Sequence, residues 1–305
     1  MKWAFIGLLL FPACVMAGEL PSDRTTKPVK VADVPGFCEG VVIDRSGTIF
    51  ISDAIGGIVY TVSRDGKLTV WAKTGEPNGH KILPDGTHLL CDGKHHAVLH
   101  LAADGSFLKD AADSSDCKPL KSPNDLTPDN HGGFYFTDPD DSWKETPTGT
   151  VHYVDSTGRV HTVLEGLAYP NGLVLRPDGK TLLLGESGTN RILSFAVTSP
   201  GRLEGKKVFA DLPSPADTNG EGLPDGMCLD RSGNLYVAHF GMGMIEVLNP
   251  SGKIIRRYQA GNMSVSNVAL GGPHRDQLYI TGALGDREKT PGALFRIDLA
   301  TNGHR

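Results

Sequence analysis

Apolar residues in this chain come in short runs of β-branched and aromatic character, divided by turn sequences, and the same arrangement recurs. Val41 to Ile43, Thr48 to Ser52, Gly57 to Val62 and Leu68 to Ala72 are separated at Asp44-Arg45-Ser46-Gly47 and Arg64-Asp65-Gly66-Lys67. Runs of this length and composition between Asp/Gly turns predict four short antiparallel strands. The clearest copy joins Asn234 to Ala238, Met244 to Leu248 and Ile254 to Tyr258 through Asp230-Arg231-Ser232-Gly233 and Pro250-Ser251-Gly252-Lys253. Further copies pair Leu89 to Cys91 with Ala97 to Leu101, Phe134 to Thr137 with Thr150 to Val154, Thr181 to Leu184 with Arg191 to Val197, and Gln277 to Thr281 with Ala293 to Leu299. No stretch sustains a helical period, which disfavours alternating α/β architectures.

Each block opens on an oxygen-bearing side chain: Glu39, Asn78, Asn124, Asn171, Asp225 and Asn267, spaced 39 to 54 residues apart. Four strands in such a period make one β-propeller blade, so six blocks predict an all-β, six-bladed β-propeller as one domain over residues 28–299. The sixth block lacks a fourth strand, while Val29 to Ala32 belongs to no block. Val31-Ala32-Asp33-Val34-Pro35 before Glu39 parallels Val208-Phe209-Ala210-Asp211-Leu212-Pro213 before Asp225. The N-terminal strand is therefore expected to complete blade six and close the ring, which removes two open sheet edges.

Composition narrows the partners. The net charge is −5, which gives no electrostatic reason for nucleic acid or an anionic membrane to bind. Lys2, an apolar run from Trp3 to Pro12 and the small-residue site Val15-Met16-Ala17 predict an export signal over residues 1–17, and a periplasmic or secreted mature protein. Phe11 disfavours lipid attachment at Cys14. No second apolar stretch reaches spanning length, so the mature chain is expected to be soluble and without a membrane partner; it is also expected to be a monomer. Cys38, Cys91, Cys117 and Cys228 match no zinc spacing. An oxidising compartment leaves a Cys91–Cys117 disulfide open, and Cys38 and Cys228 are expected as buried thiols.

The chemistry follows from the repeat. First strands of propeller blades line a central channel, so the six register residues converge on one axis. Asx-Gly is common turn punctuation and accounts for any single copy. It does not account for Glu39 or for the unbroken series. Oxygen ligands including two carboxylates suit a hard divalent cation. Ca²⁺ leads, Mg²⁺ and Mn²⁺ also accept such sets, and Zn²⁺ is less favoured because no His or Cys belongs to the series. Asn78 and Asn124 are candidate substrate partners. His80, two residues past Asn78, is a further candidate facing the channel. Asp53, Asp138 and Glu186, closing second strands, read as hydrogen-bonding supports for the loops. Gly185-Glu186-Ser187-Gly188 lacks a nucleophile-elbow glycine, and His95, His96 and His100 read as a solvated turn and strand face.

Four segments, Cys38-Glu39-Gly40, Ser122-Pro123-Asn124-Asp125-Leu126, Tyr169-Pro170-Asn171-Gly172 and Leu223-Pro224-Asp225-Gly226-Met227, resemble the signature segments of the SMP-30/gluconolactonase/LRE-like family, in the same order. The resemblance extends over residues 28–299 and implies a six-bladed propeller hydrolase. It implies one catalytic divalent metal held by Glu39, Asn124, Asn171 and Asp225, with Asp225 also acting as the base, and a small-molecule lactone, commonly a sugar lactone, as substrate. Sugar-lactonase members often carry Arg two places before the Asn; here that place is Ser122, as in the bacterial lactonases and phosphotriesterase-like propellers. An esterase or phosphotriesterase on the same metal, and a non-catalytic NHL-type binding propeller, are the alternatives. Loops 106–123, 138–149, 211–224 and 284–291, with Trp143, are expected over the channel mouth.

Overall fold

The computed structural model describes residues 19–143, 145–214 and 222–299. The expected export signal over residues 1–17 and residues 215–221 of the expected mouth loop 211–224 lie outside them.

Six four-stranded antiparallel sheets form the blades of a β-propeller. Blade one runs through Cys38–Ile43, Ile49–Asp53, Ile58–Val62 and Leu68–Lys73, and blade two through Pro77–Ile82, His88–Asp92, Ala97–Leu101 and Phe107–Ala112. Blade three is Leu126–Pro128, Phe134–Asp138, Gly149–Val154 and Val160–Leu167; blade four is Pro170–Leu175, Thr181–Glu186, Arg191–Ser199 and Arg202–Asp211. Blade five is Leu223–Leu229, Leu235–Phe240, Met244–Leu248 and Ile254–Gln259. In blade six, Ser264–Gly271, Gln277–Ala283 and Gly292–Asp298 are completed by Val29–Val34, which pairs antiparallel with Gly292–Asp298 from Val29↔Arg296 to Val34↔Gly292. The ring is closed by the N-terminal strand, as the missing fourth strand required.

The core lies between blades. One apolar cluster joins blades five and six through Tyr236, Tyr258, Val268 and Ile280, and another joins six and one through Val34, Leu294, Val41 and Ile51. Equivalent clusters fill the remaining four junctions. Both faces of every sheet are thus buried against neighbours, which is why the inner strands read as nearly continuous apolar runs rather than strict alternation.

Two expectations are corrected. Residues 106–119 are not a loop over the mouth: Phe107–Ala112 is a blade strand, and a small hairpin, Ser114–Ser115 with Lys118–Pro119, follows it, so that of this segment only its end, with Ser122, reaches the cleft. That hairpin sits against blade three, with Ser115 Oγ 3.2 Å from Thr162 Oγ1. Among the described residues the cysteines are unbridged: Cys91 is buried and Cys117 exposed, and Cys228, expected to be buried, is half-buried while Cys38 is fully buried.

Candidate metal centre

The same backbone irregularity aims four of the six register residues. In blade one the ladder passes from Cys38↔Asp53 to Val41↔Ile51, so Glu39 and Gly40 together oppose a single residue. Equivalent bulges occur at Asn78-Gly79, Asn171-Gly172 and Asp225-Gly226. A bulge breaks the alternation of side chains and turns one of them out of the sheet. The glycine that follows lets neighbouring first strands approach. A Cβ on Gly40 would collide with the Asn78 carbonyl oxygen, and one on Gly172 with that of Asp225. The Glu/Asn/Asp-Gly pairs are therefore the seams of the inner ring.

Glu39, Asn78, Asn124, Asn171 and Asp225 meet in one cleft of about 510 Å³ at the starts of the inner strands. Glu39, Asn171 and Asp225 are 6–7 % exposed, whereas Asn78 and Asn124 are half-buried. Glu39 Oε2 and Asn171 Oδ1 are buried with no hydrogen-bond partner. Buried acceptors are nearly always bonded, so orphaned ones at a shared site call for an absent partner. Among the described residues no three His, Cys, Asp or Glu side chains form a ligand group. What the cleft offers instead is two buried carboxylates, Glu39 and Asp225, with amides, an all-oxygen set that fits a hard divalent cation, while Glu76, Asp286 and Glu288 lie on its more exposed lining.

Electrostatics agree with that fit. Burial pushes the Glu39 carboxyl well above the usual carboxylate range, and the charge of Asp225 pushes it further. Burial likewise raises Asp225, with Asp125 adding, while Arg287, the Gly226 N–H and the Asn171 amide oppose the shift. In the metal-free protein the folded state then binds protons more tightly than the unfolded chain does. Such a carboxyl costs nothing below its unfolded pKa near 4, and lowers stability progressively as pH rises through its raised folded value. With EDTA present, Glu39→Gln is expected to melt above the wild type at pH 8, with the gap closing toward pH 4. A gap of equal size at both pH values, read by thermal denaturation, would contradict this assignment.

The loops carrying these residues hang on carboxylates that close the second strands. Asp53 accepts from Gly36 N at 3.1 Å and Gly56 N at 2.8 Å. Asp138 accepts from Lys121 N and Ser122 N at 2.9 and 2.6 Å. Glu186 accepts from Ala168 N at 3.3 Å and from Thr189 Oγ1 at 2.6 Å. Asp92, not singled out in the sequence, does the same in blade two for Gly75 N and Glu76 N. Blade five substitutes His239, whose Nδ1 lies 3.3 Å from Glu246 Oε1, and Glu246 is held by Arg257.

Two expected members lie elsewhere. His80 is fully buried and does not line the cleft: its Nε2 is 2.8 Å from His88 Nδ1, and its ring packs among Phe50, Trp71 and His88. The bulge at Asn78-Gly79 supplies the reason, since one extra residue reverses the parity by which His80 would share the side of Asn78. Asn267 is buried with its Oδ1 accepting from Val268 N at 2.9 Å, against Gly226 of the neighbouring blade. It is an inner-ring seam without access to the cleft.

The walls are aromatic. Trp143 stacks on Tyr169 with ring centroids 4.5 Å apart, and Phe37 meets Phe240 edge-on at 6.4 Å. Arg287, on the loop 284–291, extends over Phe37 with its Cζ 5.5 Å from the ring centroid. It is the only cation among the described residues lining the cleft, and nothing in the repeat pattern marked it. The loop length was its sole signal.

The profile of the family described as SMP-30/Gluconolactonase/LRE-like region matches residues 37–284. Lactonase drp35 from Staphylococcus aureus is 31 % identical over 281 residues, covering 88 % of this chain and 84 % of that protein. Diisopropyl-fluorophosphatase from Loligo vulgaris is 28 % identical over 249 residues, covering 72 % and 77 %. A gluconolactonase of known structure from Xanthomonas campestris superposes with a TM-score of 0.76 at 25 % identity, over 92 % of this chain and 91 % of its own. With most of its length matched by that profile, and with a relative 31 % identical over nearly the whole chain, the protein belongs to the SMP-30/gluconolactonase/LRE-like family.

Proposed function

We propose that the protein is a divalent-cation-dependent hydrolase that opens the ring of a small lactone. The observation that carries this reading is the pair of orphaned buried oxygens, Glu39 Oε2 and Asn171 Oδ1, in one cleft with a second buried carboxylate, Asp225. Glu39, Asn124, Asn171 and Asp225 would hold the cation. Ca²⁺ fits their all-oxygen chemistry best, ahead of Mg²⁺, Mn²⁺ and Zn²⁺. When bound, such a cation polarises the carbonyl of an ester and offsets the negative charge that develops on its oxygen.

The remaining steps belong to side chains of this chain. Asp225 accepts a proton from the attacking water. Asn78 and Asn124, half-buried at the mouth, present amide N–H groups that orient the substrate. Burial raises the Tyr169 phenol to about 12, so it stays neutral and able to donate a hydrogen bond. The Trp143–Tyr169 stack and the Phe37–Phe240 pair limit water at the reacting ester. On this reading residues 1–17 direct the protein to the periplasm or beyond, where it works as a monomer.

Hydrolysis of an ester or phosphotriester at the same centre is the second reading. It is favoured by the similarity to diisopropyl-fluorophosphatase and by Ser122 at the mouth. A panel of lactones, aryl esters and a phosphotriester separates these, assayed after EDTA treatment and after adding back Ca²⁺, Mg²⁺, Mn²⁺ or Zn²⁺. Lactone turnover that EDTA abolishes and one cation restores supports the first reading. Turnover confined to the esters or the phosphotriester supports the second. Hydrolysis of nothing on the panel leaves a binding propeller of the NHL type and defeats both.

A further inference from the structure

A second cavity, of about 940 Å³, lies at the far ends of the same inner strands. Glu39 and Asp225 start their strands; Arg45 and Arg231 sit in the turns that leave them, and Arg275 in the corresponding turn of blade six. At about 3.3 Å per residue, strands of six to eight residues put some 20 Å between the two ends. The cavity therefore faces the side of the propeller opposite the candidate metal centre.

Its lining is unlike the rest of an acidic protein. Arg45 and Arg64 come from blade one, Arg231 from blade five, and Arg275 and Arg296 from blade six. Asp44 is the only carboxylate among the described residues lining it. Asp44 is spent on its own turn, accepting from Ser46 N and Thr48 N, both at 2.8 Å, and from Ser46 Oγ at 2.7 Å. Two acids beside these arginines, Asp65 next to Arg64 and Asp230 next to Arg231, are engaged in the same manner. Asp65 accepts from Ser63 Oγ, and Asp230 from Ser232 N and Asn234 N. Arg296 pairs with Asp298 at 3.1 Å, whereas Arg45, Arg64, Arg231 and Arg275 make no ion pair with a described carboxylate. Between the arginines the floor is apolar, formed by the strand ends Ile43 and Leu270 with Tyr279 and Val31.

Arg45, Arg64, Arg231 and Arg275 are exposed, so water screens their repulsion, and a multivalent anion that bridges them replaces that water with direct pairing. Guanidinium groups match the paired oxygens of carboxylate and phosphate. A concave volume of this size suits a small molecule rather than a flat surface. We propose that this groove is a binding site for a small anion with an apolar body and at least two negative charges, carried on phosphate or carboxylate groups. Val31 lies on the closing strand and Arg296 on its partner, so an anion held there also bridges the seam where the ring closes onto blade one. Occupancy is thus expected to raise the melting temperature, as any ligand specific to the folded state does.

Calorimetric titration of the full chain with phenyl phosphate, and separately with isophthalate, tests the proposal. At least one probe is expected to bind more tightly than about 1 mM. Arg45→Ala combined with Arg275→Ala should weaken binding at least about tenfold and remove the melting shift. Lactone turnover should be unchanged, because neither residue is near the cleft. Arg159→Ala, outside the groove, serves as a charge-matched control, and Glu39→Gln separates this binding from the metal centre. Preference for phenyl phosphate assigns a phosphate ligand, and preference for isophthalate a carboxylate. Binding of neither probe, or binding that survives the double replacement, would overturn the assignment.

Discussion

Asp225→Asn is expected to leave a folded protein whose lactone hydrolysis falls by about a thousandfold or more. Asparagine keeps the shape that fits beside Gly226 and Asn171, so packing is preserved. Two functions are lost together. The cation loses one of its two anionic ligands, and the attacking water loses the carboxylate that takes its proton. Removing a general base alone costs about 10²–10⁴ in rate, and the weakened cation site adds to it. Folding should not suffer, because the replacement removes a buried charge whose carboxyl the fold already disfavours in ionised form. Turnover measured with the melting temperature separates chemistry from stability. Activity within tenfold of wild type in a folded Asp225→Asn protein would remove Asp225 from both roles.

Deletion of residues 28–34 is expected to cost most or all of the folding free energy. Val29–Val34 supplies the fourth strand of blade six through a ladder onto Gly292–Asp298. Ala32 and Val34 are buried with Cys38, Val41, Ile51 and Leu294 at the junction of blades six and one. Removing the strand exposes that cluster and opens the edge of Gly292–Asp298. A loss on the order of 5 kcal/mol or more is comparable with the total stability of a typical protein. Circular dichroism against temperature, with size-exclusion chromatography, reads the outcome. A truncated chain that stays monomeric and melts cooperatively near the wild type would show that the ring holds without its closing strand.

The repeat made the fold legible because each blade announces itself locally, through turn sequences such as Asp44-Arg45-Ser46-Gly47 and Asp230-Arg231-Ser232-Gly233 at constant offsets from apolar runs. The missing sixth-blade strand was equally readable, since a stretch left over at one end fitted a gap left at the other. Convergence of Glu39, Asn171 and Asp225 followed from the same register. Side-chain direction did not. His80 went to an interblade aromatic cluster because a one-residue bulge at Asn78-Gly79 reversed its parity, and nothing in the residues themselves dictates that bulge. Asn267 shares the register but lies beneath the seam with Gly226, a matter of strand depth. Arg287 and the arginine groove sit on turns and loops whose convergence exists only once the ring has closed.

The central claim is that the cleft at the starts of the inner strands holds one divalent cation between Glu39 and Asp225. Calorimetric titration of EDTA-treated protein with Ca²⁺ tests it most directly. The wild type should bind one equivalent at this centre, with a matching rise in melting temperature, and Glu39→Gln and Asn171→Ala should each weaken that binding by tenfold or more. A wild type that binds no divalent cation, or that binds it equally well after both replacements, would contradict the account.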